Sequence, residues 1–172
     1  MLPSRSELTD DIVRLVEIRA LDPLEILLDG HETVRAMRDV VAGRAGIWAH
    51  RMLNGTDAEA VGAIMRLVTA VYPSDGAFDP PVDWWRSPLG RVLAWRVGHP
   101  TAESVSYAVA GAMLGITRQG VHDLVTRRKL VRHPDGGVTP ASVRERLIGT
   151  QHTGSTLRST SEGHDHGRRD DA

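Results

Sequence analysis

The chain is 172 residues long, 41% hydrophobic and 25% charged, with 21 lysines and arginines against 22 aspartates and glutamates, a balance that suits one or two small domains able to bury a core. It has no cysteine, which excludes disulfides, cysteine-ligated zinc and thiol catalysis. No apolar run approaches the roughly 18 residues of a membrane span, and MLPSRSELTDD has no signal-peptide core, so a cytoplasmic protein is expected.

In chain order, Thr9 is the expected cap of a first helix that runs through Ile12, Val13, Leu15 and Val16 to Leu21. Asp22-Pro23-Leu24-Glu25 has the form of a capping box with proline at the first helical position. It restarts a short helix that Gly30 closes. A longer helix is predicted from about His31 to Leu53, with Val34, Met37, Val41, Ala45, Trp48 and Met52 as its inward stripe. Gly43 and Gly46 each cost such a helix roughly 1 kcal/mol, so they predict a close crossing or a bend. Thr56-Asp57-Ala58-Glu59 is a second capping box, opening a helix through Val61, Ile64, Met65, Leu67 and Val68 before Pro73. Residues 72–83, rich in proline, read as a connector, and Ser87-Pro88 starts a short helix that Gly98 ends. The four tryptophans are expected in the core. Trp84 and Trp85 cannot face the same way, which puts one of them at a domain interface. Residues 1–98 thus read as a helical domain for assembly or partner docking.

Residues 99–149 carry a different pattern. Tyr107, Ala110, Gly111 and Leu114 fall on one helix face, Gly115 supplies a left-handed stop, and Thr117 caps a second helix. In that second helix Val121, Leu124 and Val125 point inward, while Gln119, His122, Asp123, Thr126 and Arg127 point out. The Ala110-Gly111 pair lets the two helices approach. Lys129 to His133 reads as extended, Pro134-Asp135-Gly136-Gly137 as a turn, and Thr139-Pro140 as the start of a third helix. The expected fold is therefore mostly α, an N-terminal helical domain followed by a winged helix-turn-helix with one short β-hairpin. Residues 150–172 are expected to form a disordered tail, in which His164-Asp165-His166 is incidental.

Charge is unevenly spread. Residues 1–103 hold 11 arginines against 15 carboxylates, whereas residues 104–150 hold 7 basic side chains against Asp123, Asp135 and Glu145. The excess of cations coincides with the helix-turn-helix pattern, as phosphate contact requires. Lys129 is the single lysine, a usage that suggests a GC-rich bacterial genome or its mobile elements.

VSYAVAGAMLGITRQGVHDLVTRRKL followed by GGVTPASVRERL resembles the winged helix-turn-helix of the MerR/excisionase-like group, over about residues 104–148. The shared features are Ser106 opening the first helix, small residues at 110–111, Leu114-Gly115-Ile116-Thr117-Arg118-Gln119, aliphatic Val121 and the basic exit Arg127-Arg128-Lys129-Leu130. Asp123 departs from the pattern. The resemblance implies sequence-specific binding of double-stranded DNA by a bacterial transcriptional regulator. A homodimer, or a protein partner held through the N-terminal helices, is expected, and the residues themselves suggest no cofactor and no bound metal.

Within that reading, Arg118 suits guanine O6/N7 and Gln119 adenine N6/N7, each worth roughly 1–3 kcal/mol of discrimination. Thr117 and His122 share their side of the helix, and His122 can donate to a base or a phosphate. Arg127, Arg128, Lys129 and Arg132 are expected on phosphates, which position a protein without reading sequence. Asp123 is expected to pair with Arg127 four residues on. Two other readings stay open: an excisionase-like protein that bends DNA for a mobile element, and a protein-interaction adaptor whose helix-turn-helix does not bind DNA. Enzymatic motifs are absent, so no catalytic residue is expected.

Overall fold

The computed structural model describes residues 1–30, 32–73 and 76–159. His164, Asp165 and His166 lie outside the described residues.

Helix α1 (Arg5–Val16) is opened by Ser4 rather than Thr9. The Ser4 hydroxyl accepts from the Glu7 N–H at 3.2 Å and the Glu7 carboxylate accepts from the Ser4 N–H at 2.7 Å. The Ser4 N–H, and with it the Ser4 hydroxyl, holds the Glu7 carboxyl below its ordinary pKa. A π-helical turn (Glu17–Leu21) carries α1 into α2 (Asp22–Leu27) without a break. The capping box expected at Asp22–Glu25 does not form. Asp22 already has helical dihedrals, φ −63° and ψ −44°, so its side chain cannot reach over the following N–H groups as an extended cap does. Instead Asp22, at 2.8 Å, and Glu25 accept from Arg38 of α3 (Glu32–Asn54), and Glu17 stands 3.8 Å from the same guanidinium. Helix α4 (Asp57–Val71) opens on the expected Thr56–Glu59 capping box.

The connector ends in a 3₁₀ turn (Val82–Arg86), where Tyr72, Phe78, Trp84, Trp85 and His99 meet largely edge to face. Trp84 and Trp85 stand perpendicular with centroids 5.2 Å apart. Trp85 is fully buried and Trp84 half-buried. Helix α5 (Pro88–Arg96) follows, capped by the Ser87 hydroxyl, and Asp11 of α1 accepts from its Leu89 N–H at 2.9 Å. A Cβ at Gly90 would overlap the Trp84 carbonyl, so glycine is what lets α5 lie against the aromatic turn.

One cluster of buried side chains runs from Leu8 and Ile12 of α1 through Met52, Ile64, Leu89 and Leu93. It reaches Ala110 and Met113 of α6 (Tyr107–Leu114), Val121 of α7 (Arg118–Thr126) and Val143 of α8 (Pro140–Ser159). Helix α5 sits at its middle, against α1, α4, α6 and α8. Arg96 ties the end of α5 to its surroundings. Its guanidinium donates to the Met52 and Leu53 carbonyls at 3.0 and 2.7 Å and pairs with Asp57 at 2.8 Å. These bonds satisfy carbonyls that the C-terminus of α3 leaves without helical partners, and place a cation where the helix dipole favours one. The Arg96 carbonyl in turn accepts from Arg144 Nε of α8 at 2.9 Å.

The expected β-hairpin is not formed, and among the described residues there is no strand. Single antiparallel bridges join Val138 to Arg132 and to Val105. A hairpin ladder needs consecutive free N–H and C=O groups along both arms. Here the arms exchange two bonds, from the Thr139 N–H to the Val131 carbonyl at 2.9 Å and from the His133 N–H to the Gly137 carbonyl at 3.2 Å, and the pairing goes no further. The Val131 N–H donates to the Ser142 hydroxyl at 3.2 Å, the His133 carbonyl accepts from the Gly136 N–H at 3.1 Å, and Val138 exchanges its own backbone bonds with Val105 on its other edge, at 3.0 Å each. Pro134 has no N–H to offer. Residues 129–139 are thus a loop pinned at both ends. Helix α8 continues to Ser159, past the boundary expected at 149. Among the described residues no helix is long and apolar enough to cross a membrane.

Candidate functional site

Helices α6 and α7 and the turn between them follow from local chemistry. The Ser106 hydroxyl accepts from the Val109 N–H at 3.2 Å and opens α6. Gly115, at φ 69°, ends that helix. The Thr117 hydroxyl accepts from the Gly120 N–H at 3.1 Å and opens α7. Gly111 works against the turn rather than against the body of α7. Its carbonyl accepts from the Ile116 N–H at 2.9 Å, and a Cβ on it would stand 2.9 Å from the Ile116 carbonyl oxygen. Val121 is fully buried beneath α7 and fixes which side of the helix faces out.

That outer side is where the structure places the sequence-predicted residues. Thr117, Arg118, Gln119 and His122 are exposed on α7, and Arg127, Arg128 and Lys129 are exposed where it ends. Arg132, on the following loop, is exposed too. It joins Arg118, His122, Ser106, Tyr107 and Gly137 around an open concavity of about 550 Å³. Two basic side chains thus converge on one hollow from separate segments of the chain.

Asp123 differs from expectation. No ion pair joins it to Arg127; its carboxylate accepts from Gln119 Nε2 at 3.1 Å and stands 4.0 Å from His122 Nδ1. An ionised carboxylate only accepts, so this contact sets which way the Gln119 amide points and leaves its carbonyl oxygen and second N–H for another partner.

Two features are not evident from the pattern of residues. Tyr107, assigned to the inward face of α6, lines the concavity and meets the His122 ring edge to face at 6.4 Å. Its place at the first position of α6 is the signal that could have found it. Arg128 adopts φ 55°, a left-handed conformation that glycine normally fills. Its N–H donates to the Val125 carbonyl at 3.0 Å and that of Lys129 to the Leu124 carbonyl at 2.8 Å. This is the Schellman closure of a helix, made with an arginine at its strained position.

Comparison of the chain with protein-family models, curated proteins and solved structures finds no match.

Proposed function

We propose that the chain binds double-stranded DNA sequence-specifically, as a cytoplasmic transcriptional regulator that lays α7 in the major groove. The observation that carries this reading is the shared concavity: Arg118 and His122 from α7 meet Arg132 from the loop around one hollow open to solvent. Arg132 on the loop side of this hollow suits a backbone phosphate, and Arg118 stands beside it in the first turn of α7, the end that reads bases in helix-turn-helix proteins. In this reading Arg118 takes guanine O6 and N7, and Gln119, whose amide Asp123 orients, takes adenine N6 and N7. Arg127, Arg128 and Lys129 give the far end of α7 its phosphate contacts. The strain at Arg128 supports this role, since an outlying backbone conformation kept at a non-glycine residue points to a use for the side chain.

Selection of genomic fragments, followed by mobility shift of the chosen duplex across salt concentrations, tests the proposal. One motif is expected to emerge. Arg118→Ala should cost roughly 1–3 kcal/mol of discrimination at one base-pair position, leaving the other positions unchanged. Recovery of no duplex even at low salt would overturn the reading.

A further inference from the structure

Among the described residues, eight of the eleven large hydrophobic side chains left exposed fall between Ile18 and Ile47, on the π-helical turn, α2 and α3. Ile26 is 78% exposed, Leu27 76% and Val40 62%. Single exposed aliphatics are ordinary, but a concentration of this kind marks an interaction surface. The charges of this arm explain why its aliphatics face outward. Glu17, Asp22 and Glu25 converge on Arg38, so polar atoms fill the seam between α2 and α3. Leu24, Leu27 and Leu28 are left on the far side of α2, at helical spacing. Met37, Val40 and Ile47 form a second stripe along α3, flanked by Gly43, whose Cβ would meet nothing within 4 Å. Among the described residues no close crossing accounts for that glycine.

We propose that this arm is the interface between two copies of the chain, an inference that stands apart from the DNA-binding reading. Met37, Val40 and Ile47 form the centre of the contact and the α2 leucines its rim, in an interface of the roughly 800 Å² that each partner gives to a stable dimer. Residues 17–47 hold six carboxylates against four arginines. That balance repels a duplex or an anionic bilayer, whereas its mixed signs suit a second arm of the same kind. A two-fold axis at Val40, with the α3 helices antiparallel, sets Met37 of each copy level with Gly43 of the other. The longest side chain of the stripe then meets the position that has no Cβ.

Sedimentation velocity of the full chain at micromolar concentration tests this. The unaltered chain is expected to sediment as a dimer. Leu27→Glu and Val40→Glu should each weaken association at least tenfold, roughly the 1.4 kcal/mol a buried charge readily exceeds, with helical circular dichroism unchanged. Because the chain has no cysteine, Val40→Cys should form an interchain disulfide on oxidation, and Asp10→Cys on α1 should not. If the glutamate variants lose helix, the cysteine pair decides the matter. A monomeric unaltered chain, a dimer that survives both charges, or equal cross-linking at positions 10 and 40 would each overturn the proposal. So would a monomer that instead binds phosphatidylglycerol vesicles. Loss of duplex selection with the dimer intact would sink only the DNA-binding reading.

Discussion

The α2–α3 arm and helix α7 are both exposed, yet they dispose of their side chains in opposite ways. The arm gathers three carboxylates on Arg38 and leaves leucine and isoleucine in water. Helix α7 buries Val121 and shows arginine, glutamine and histidine. An apolar outer face gains free energy from any surface that removes it from water, whereas an arginine-rich one gains from an anion and loses little while hydrated. Two exposed helices of one chain thus present opposite chemistry, and exposure alone does not tell them apart. Between them stands α5, which touches both α1 and α6 and ends in Arg96.

The harshest way to break that comparison is to cut the frame both surfaces share. Arg96 is only 10% exposed in its side chain and holds three carbonyls, those of Met52, Leu53 and Gly55, and Asp57. Arg96→Ala should cost about 3 kcal/mol, read as a shifted urea midpoint, because those carbonyls lose charged donors. Arg96→Lys should recover only part, since an ammonium cannot fork across several acceptors. A shift below about 0.5 kcal/mol would mean that the two surfaces do not depend on this joint.

Arg128→Gly sharpens the contrast on the α7 side by separating stability from binding. Removing the side chain from φ 55° should stabilise the fold by up to about 1 kcal/mol. Duplex binding should weaken alike for all sequences, with the salt slope reduced by about one. Unchanged binding in a stabilised variant would show that the strain serves something else.

The smallest effect comes from His99, in the aromatic cluster on the frame between the two surfaces. Burial against Trp85 and Phe78 holds its pKa below the ordinary 6.5, and Asp79 opposes this only in part. Its Nδ1 also accepts from the Ala102 N–H at 3.0 Å, a bond that protonation would abolish. With the folded value below the unfolded one, the unfolded chain binds more protons between the two. Stability is therefore complete above pH 6.5 and declines as pH falls through the window beneath it. His99→Gln should flatten this slope in urea melts at mildly acidic and neutral pH. A parallel slope in the variant would assign the dependence to other groups.

What could be read from the residues was what neighbours in sequence decide. The Thr117 cap, the Gly115 stop, buried Val121 and the Thr56–Glu59 box all rest on contacts within a helical turn. The errors came from partners far along the chain. The Ser142 hydroxyl of α8 takes the Val131 N–H that a longer hairpin needed, and Val138 turns its own backbone bonds to Val105, far back in the chain, which nothing near residue 138 announces. Asp22-Pro23-Leu24-Glu25 has the composition of a capping box, but Arg38, sixteen residues from Asp22, redirects its carboxylates. Met37, placed on the inward stripe of α3 by spacing, is 44% exposed, because only Val34 is buried ahead of Ala45 on that helix. Side chains of the α7 face were legible because polar residues opposite a buried valine have one way to point. The hollow they share with Arg132 was not, since it depends on where a loop without strands comes to rest.

The π-helical turn at Glu17–Leu21 makes the arm tolerant of a change in length. A π turn is an α-helix with one residue too many, taken up locally, so excising one of its five residues would let the helix close in ordinary register and leave α2 on nearly its present heading. Glu25 would keep Arg38. The same deletion within α1 would instead swing everything beyond by roughly 100° about the helix axis.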